Sequence, residues 1–284
     1  MLLAVLLQVV AVVFALHVLG LSLVVRLEDV RGAVGTARRN VRAVTPIALT
    51  LGGVLAVNGV VRNLSVELSW LIGVNATELI HALEGRFVAD LQSLTTPELT
   101  AYFSFVYVFG YVFLLTFPLV AYALHDDVRP LYTLLLSYTL NYGLGLVCYV
   151  LVVAYGPRNF MPELVDSLLY ANWPRSQVLT SQVNVNTNVF PSLHTSLSVT
   201  VALVALRFRE TYRRWLPIAG FLAASITVST MSLGIHWLTD VVAGVVLAVA
   251  SVAGAEWVAT GPGGESELGR GPPGRLASWL RKPP

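Results

Sequence analysis

Runs of apolar residues about twenty long recur seven times along the chain, separated by shorter polar stretches. They extend over Met1–Val25, Ala43–Val61, Ala101–Leu124, Leu131–Ala154, Pro191–Leu206, Trp215–Ile235 and Val241–Thr260. A helix of about 20 apolar residues crosses a hydrocarbon core of roughly 30 Å, and a helix satisfies every backbone hydrogen bond within itself. The pattern therefore predicts an all-α, polytopic transmembrane helical bundle of six to seven spans. The first run lacks a basic leader and exceeds the usual length of a signal segment, so it reads as a retained helix. Between the second and third runs, the stretch from Asn63 to Leu99 mixes apolar and acidic residues at helical spacing and predicts one or two amphipathic helices lying in the membrane interface. Two tripeptides there, Asn63-Leu-Ser65 and Asn75-Ala-Thr77, match the glycosylation acceptor pattern.

Composition agrees with the pattern: 56% of the 284 residues are hydrophobic and 12% charged, outside the range of soluble domains. Charge adds an orientation. If the seven runs alternate across the membrane, fourteen of the eighteen Lys and Arg residues fall on one side, in Arg26–Arg42, at Arg129, in Arg207–Arg214 and in the tail from Gly261. Only Arg62, Arg86, Arg158 and Arg175 fall on the other. Positive loops stay cytoplasmic, which predicts an outward N-terminus and a cytoplasmic C-terminus. Residues 1–260 then form one membrane domain, and 261–284, rich in Gly, Pro and basic residues, form a disordered basic tail. The single cysteine, Cys148, lies inside the fourth run and excludes an internal disulfide.

Ionisable side chains at membrane depth usually mark function. His17, His81 and His125 have no carboxylate or ligand cluster near them in sequence and read as satisfied or solvated. His194 and His236 differ, because both fall at the outward ends of spans, in "FPSLHTS" and "STMSLGIHWLTDVVAG". Asp240 follows His236 by four residues, a spacing that shares one helix face, and a carboxylate on one imidazole nitrogen makes the other a better nucleophile. In the first stretch Pro191 suits the first helical position. The N–H groups of Ser192, Leu193 and His194 would then form an anion site at the helix N-terminus, with His194 beside it as general acid. A nucleophilic histidine, an acidic histidine and an anion cradle together predict phosphoryl transfer through a phosphohistidine.

These residues resemble the type 2 phosphatidic acid phosphatases, a superfamily shared with bacterial acid phosphatases and vanadium haloperoxidases. "PSLH" resembles the family's Pro-Ser-Gly-His motif, and Ser229, His236 and Asp240 keep the spacing of its Ser-Arg-x5-His-x3-Asp motif. The resemblance implies His236 as nucleophile, Asp240 as its orienting partner and His194 as acid for the leaving group. Leu193 and Thr230 replace the family's glycine and arginine, two changes that resemble the branch containing fungal inositol phosphorylceramide synthases. The family's Lys-x6-Arg-Pro motif is absent as written: Arg129-Pro130 falls on the basic side, while Arg158 in "YGPRNFMP" leaves the fourth run on the other.

With the motif's lysine and one arginine missing, the expected site holds Arg158, helped by Arg175. Ser192, Leu193, Thr195, Ser229 and Thr230 complete the predicted substrate contacts. So few cations suit a singly charged phosphodiester better than a dianionic monoester. The sequence thus predicts transfer of an inositolphosphate-type headgroup from a phospholipid to a hydroxyl acceptor. Plain lipid phosphate hydrolysis and a non-catalytic membrane protein on the same fold are the alternatives. The stretch "VNVNTN" (183–188), with Asn172 and Trp173, reads as an ordinary solvated loop, with a headgroup pocket as the alternative, and the aromatic residues of "AYFSFVYVFGYVFLL" read as span packing and an interfacial belt. Asn58 and Asn141 are expected to form interhelical hydrogen bonds. The expected partners are a lipid phosphate and the membrane, with no nucleic acid; no cofactor is expected, and no metal, since no ligand spacing for zinc or iron is present.

Overall fold

The computed structural model describes residues 2–25, 32–180 and 189–260; the predictions placed on 183–188 and on the tail lie outside them. The chain is a helical bundle with, among the described residues, six helices long and apolar enough to cross a membrane. In order they are α1 (Leu2–Val24), α2 (Ala33–Ile72), the third span composed of α5 (Pro97–Phe105), a π-helical turn (Val106–Gly110) and α6 (Tyr111–Leu124), then α7 (Arg129–Leu151), α12 (Trp215–Ser232) and α13 (Leu238–Thr260). Before the third span lie the short helices α3 (Thr77–Glu84) and α4 (Phe87–Ser93). Three more, α8 (Pro157–Phe160), α9 (Leu168–Asn172) and α10 (Ser176–Thr180), follow α7, and α11 (Leu193–Arg207) precedes α12.

Several boundaries differ from the apolar runs, for physical reasons. The second span continues through Asn63 to Ile72, because no proline or glycine interrupts the chain until Gly73, so the first of the two acceptor tripeptides lies within a helix. α7 stops at Leu151, where Val152–Val153 leaves helical geometry to pair in parallel with Val74–Asn75. In the second tripeptide, the Asn75 carboxamide oxygen accepts from both the N–H and the hydroxyl of Thr77. α11 has 15 residues, about 22 Å at the helical rise of 1.5 Å per residue, and does not by itself match a core of roughly 30 Å.

α7 packs against α2, α11 and α13. Its residues Leu131, Leu134, Leu135 and Tyr138 join Phe113, Phe117, Val204, Trp215 and Ala219 in the main core. Two asparagines bond across its helices. Asn141 donates to Thr200 Oγ1 and accepts from Ser196 Oγ, both at 3.0 Å, tying α7 to α11. Asn58 donates to the carbonyl oxygens of Val54 and Tyr142. α1 and α2 instead present broad apolar surfaces, including Leu7, Val10, Phe14 and Leu49, as helices facing lipid do.

Among the described residues, arginines of the basic segments meet at one end of the bundle. There Arg39 pairs with Asp126, Asn40 donates to the carbonyl oxygens of Ala123 and His125, Arg207 pairs with Glu256, and Arg214 donates to the carbonyl oxygen of Leu23. Arg129 is held there by Asp127 at 2.7 Å. At the opposite end α3 and α4 pack through Ile80, Val88 and Ala89 onto Met161, Val165 and Trp237, closing over the helix ends that carry the histidines.

Candidate active site

His236 lies in the turn between α12 and α13, two positions before α13 begins, and not on a helix face as its spacing to Asp240 predicted. The turn is possible because Gly234 adopts φ 72°, a left-handed conformation that side chains resist. The Thr230 carbonyl oxygen then accepts from the N–H groups of both Ile235 and His236. Asp240, the third residue of α13, reaches back: its Oδ2 accepts the Trp237 N–H at 2.9 Å and lies 3.4 Å from His236 Nδ1. A carboxylate three residues into a helix commonly caps the N–H at its entrance; here the same oxygen also orients an imidazole. His236 is 5% exposed and Asp240 fully buried. With Nδ1 on Asp240, Nε2 is the nitrogen left for substrate, and Asp240 Oδ1 has no hydrogen-bond donor among the described residues.

α11 is brought to this turn by main-chain contact. Ser192, not Pro191, caps the helix: its Oγ accepts the Thr195 N–H at 3.4 Å and donates to Thr195 Oγ1 at 3.1 Å. Pro191 precedes the cap, joined to Phe190 by a cis peptide bond. The Ser192 N–H donates to the Asp240 carbonyl oxygen at 3.0 Å, so it is not part of an open anion cradle. The first-turn donors that remain are the N–H groups of Leu193 and His194, which have no intrahelical acceptor.

The His194 ring stacks on Tyr107, with centroids 4.4 Å apart and planes 18° apart, and packs at 4.3 Å against Tyr111. Tyr107 lies within the π-helical turn and Tyr111 directly follows it, and such a distortion is often found at functional sites. Sequence reasoning had assigned them to span packing; the wide turn that sets their rings against α11 has no sequence signature.

Arg158 joins through its backbone, whose N–H donates to the Gly234 carbonyl oxygen at 3.1 Å. Two residues earlier Gly156 permits the approach, since a Cβ there would stand 2.3 Å from the Ile235 carbonyl oxygen. The guanidinium lies over the Tyr170 ring, 4.7 Å from its centroid, and Nη2 donates to the Tyr170 hydroxyl at 3.3 Å. Its Nη1 is buried and has no acceptor among the described residues. Arg175, in contrast, is exposed on the turn before α10. Ser229 and Thr230 are buried, and their hydroxyls donate to the carbonyl oxygens of Ile226 and Thr227 within α12. They hold the approach to the turn rather than point a free hydroxyl into it.

Two supporting residues had no signal in the sequence. Glu84 of α3 accepts from the N–H groups of Leu238 (2.8 Å) and Thr239, so a carboxylate from a distant helix caps α13. Gln92 of α4 donates to the carbonyl oxygens of Asp166 and Ser232 and accepts from the Asp166 N–H. The remaining histidines are elsewhere: His17 meets the Val13 carbonyl and Thr116, His125 accepts the Asp127 N–H, and His81 packs on Phe160 and Trp237. Among the described residues no three His, Cys, Asp or Glu side chains converge as a metal site.

The bundle is that of a multi-pass membrane protein, and it gathers a recessed His–Asp pair, a second histidine at a helix entrance and a half-buried arginine at one end. A family model for the PAP2 superfamily matches residues 78–254, more than half of the chain, and the chain belongs to that superfamily. The match makes it a phosphatase-type enzyme of lipid phosphates. No curated protein and no solved structure matches it.

Proposed function

We propose that the protein transfers phosphoryl groups between lipid alcohols through a phosphohistidine on His236, taking a singly charged phospholipid diester as donor. Nε2 of His236 attacks phosphorus while the bond to the departing alcohol breaks, and His194 gives its proton to that oxygen. In the second half an acceptor hydroxyl returns a proton to His194, its oxygen attacks phosphorus, and the N–P bond breaks. Asp240 stabilises the imidazole as positive charge develops, and its 3.4 Å separation from Nδ1 has room to shorten in the reacting complex. The first-turn N–H groups of α11 and Nη1 of Arg158 supply donors for the phosphoryl oxygens.

The observation that carries the diester preference is a single cation bonded to the turn among the described residues. Arg158 is bonded to it through Gly234, whereas position 230, where the resembled motif has arginine, holds a buried threonine bonded within its own helix. The basic segments gather at the opposite end of the bundle, which supports an outward-facing site reached from the outer leaflet. At about 22 Å, α11 is shorter than a hydrocarbon core of roughly 30 Å, which supports a site recessed from the membrane boundary and within sideways reach of lipids.

The test offers purified protein in nanodiscs radiolabelled phosphatidylinositol or phosphatidate, with and without a lipid alcohol. Transfer predicts an acceptor-dependent phosphodiester, label on the wild type that survives base and is lost in acid, and neither with His236→Ala. Arg158→Ala should lower diester turnover about 100-fold. Release of inorganic phosphate from phosphatidate alone, with no diester turnover, would replace this reading with plain lipid phosphate hydrolysis. Unchanged turnover in His236→Ala would remove the phosphohistidine.

A further inference from the structure

A second recess lies between α1, the third span and α9, beside the histidine site but separate from it. Its volume is about 230 Å³, and Gln8, Ser104, Phe105, Phe109, Asn172 and Trp173 line it. None of these can ionise, so the recess suits a neutral guest. It is nevertheless polar: Ser104 is 3% exposed and its Oγ is buried without a hydrogen-bond partner among the described residues. The carboxamides of Gln8 and Asn172 also stand at its wall. Gln8 lies about 9 Å along α1, within a span where an unanswered polar side chain is costly and usually functional. Facing these groups, Trp173 stacks on Phe109 with centroids 5.4 Å apart, giving flat apolar walls beside hydroxyl and amide donors.

The surroundings identify the guest. Leu7 and Val10, either side of Gln8, are exposed apolar residues on α1, and Phe105 at the rim is 43% exposed. The recess therefore opens toward the lipid-facing surface. A neutral polar recess with an apolar mouth at membrane depth fits a hydroxyl-bearing headgroup attached to hydrocarbon chains. Two elements also link it to the catalytic turn. α9 carries Tyr170, bonded to Arg158, and ends at Asn172 and Trp173; the π-helical turn carries Tyr107, stacked on His194, and Phe109. Leu169, Leu233 and Ile235 fill the space between as one apolar cluster.

We propose that this recess binds the uncharged headgroup of a lipid alcohol of the diacylglycerol type, entering sideways between α1 and α5. The assignment of a role rests on the transfer reaction above, in which the group that leaves the donor and the group that accepts the phosphoryl are both neutral lipid alcohols. The recess is then where one is held while the histidines act on phosphate on the far side of α9.

The experiment reads binding without turnover, so it stands whether or not the transfer reaction does. Full-length protein in nanodiscs is labelled with a photoreactive diacylglycerol analogue, and the labelled peptides are mapped by mass spectrometry in the presence of dioleoylglycerol or free inositol. Label on peptides of α1, α5 and α9, displaced by dioleoylglycerol and not by inositol, is the expected result. Ser104→Phe, which fills the recess, should cut that label at least tenfold. Gln8→Leu, on the lipid side and harmless to packing, should cut it several-fold if Ser104→Phe does not fold. Label that lies elsewhere, persists in the variants, or yields to inositol instead would overturn the proposal. Absent turnover with the expected labelling would sink the transferase reading alone.

Discussion

The backbone N–H of Ser192 donates to the backbone carbonyl oxygen of Asp240 at 3.0 Å, joining the entrance of α11 to the first turn of α13. The join sets His194 and the His236–Asp240 pair in one register although 42 positions separate the histidines. It also removes one N–H from the predicted anion cradle and makes it structural.

Close approach of the two helices depends on Gly244, one turn further along α13. A Cβ there would meet the Ser192 carbonyl oxygen at 2.6 Å and Thr195 Cβ at 3.2 Å. Gly244→Ala should therefore push the helix entrances apart, costing about 1–3 kcal/mol and lowering turnover. Thermal unfolding in detergent read beside an activity assay checks it; an unchanged melting temperature would mean that the helices separate freely.

Asp240→Asn separates capping from charge. The carboxamide oxygen can still accept the Trp237 N–H, so folding should persist, but an imidazolium at His236 loses its counter-charge. Turnover should fall about 10²- to 10⁴-fold, the range seen when a partner that orients and stabilises a catalytic histidine is neutralised. Single-turnover kinetics would place the loss in formation of the labelled protein.

Removing a ring that stacks on His194 should loosen the general acid without touching phosphate. An aromatic pair contributes about 0.5–1.5 kcal/mol beyond its area, so Tyr107→Leu or Tyr111→Leu should lower kcat about 2- to 10-fold with KM little changed. Phenylalanine at either position keeps the ring and most of the activity. A change confined to KM would instead place these rings on the substrate.

Glu84 holds the turn that carries His236 from outside it. Glu84→Ala leaves two N–H groups at the start of α13 without their acceptor, which should cost about 1–2 kcal/mol, and Glu84→Gln should cost less. Hydrogen exchange at Leu238 and Thr239 should rise in both variants. If exchange there stays slow, α13 is capped by something other than α3.

The elements that were legible in sequence are those governed by local pattern. Long apolar runs have few alternatives to a membrane helix, and the contrast of basic and non-basic segments reappears as the Arg39–Asp126 and Arg207–Glu256 end of the bundle. Motif spacing brought forward His194, His236, Asp240 and Arg158. It misassigned Pro191 to the first helical position and put His236 on a helix, because a helix start depends on which residue finds an acceptor, and here Ser192 finds one in another helix. Arg175 was grouped with Arg158 by proximity in sequence, yet Arg158 is half-buried over Tyr170 while Arg175 is exposed on the turn before α10.

Sequence alone determined that the chain is a helical membrane bundle, and it singled out His194, His236, Asp240 and Arg158 as candidates, since hydrophobicity, charge and short spacings are properties of the chain itself. Tertiary structure alone decided that Glu84 caps α13, that Tyr107 and Tyr111 stack on His194, that Gln8 and Asn172 share a recess, and that the Ser192 N–H is closed to substrate. Each of these depends on a partner tens of residues away, and such contacts exist only once the helices have packed.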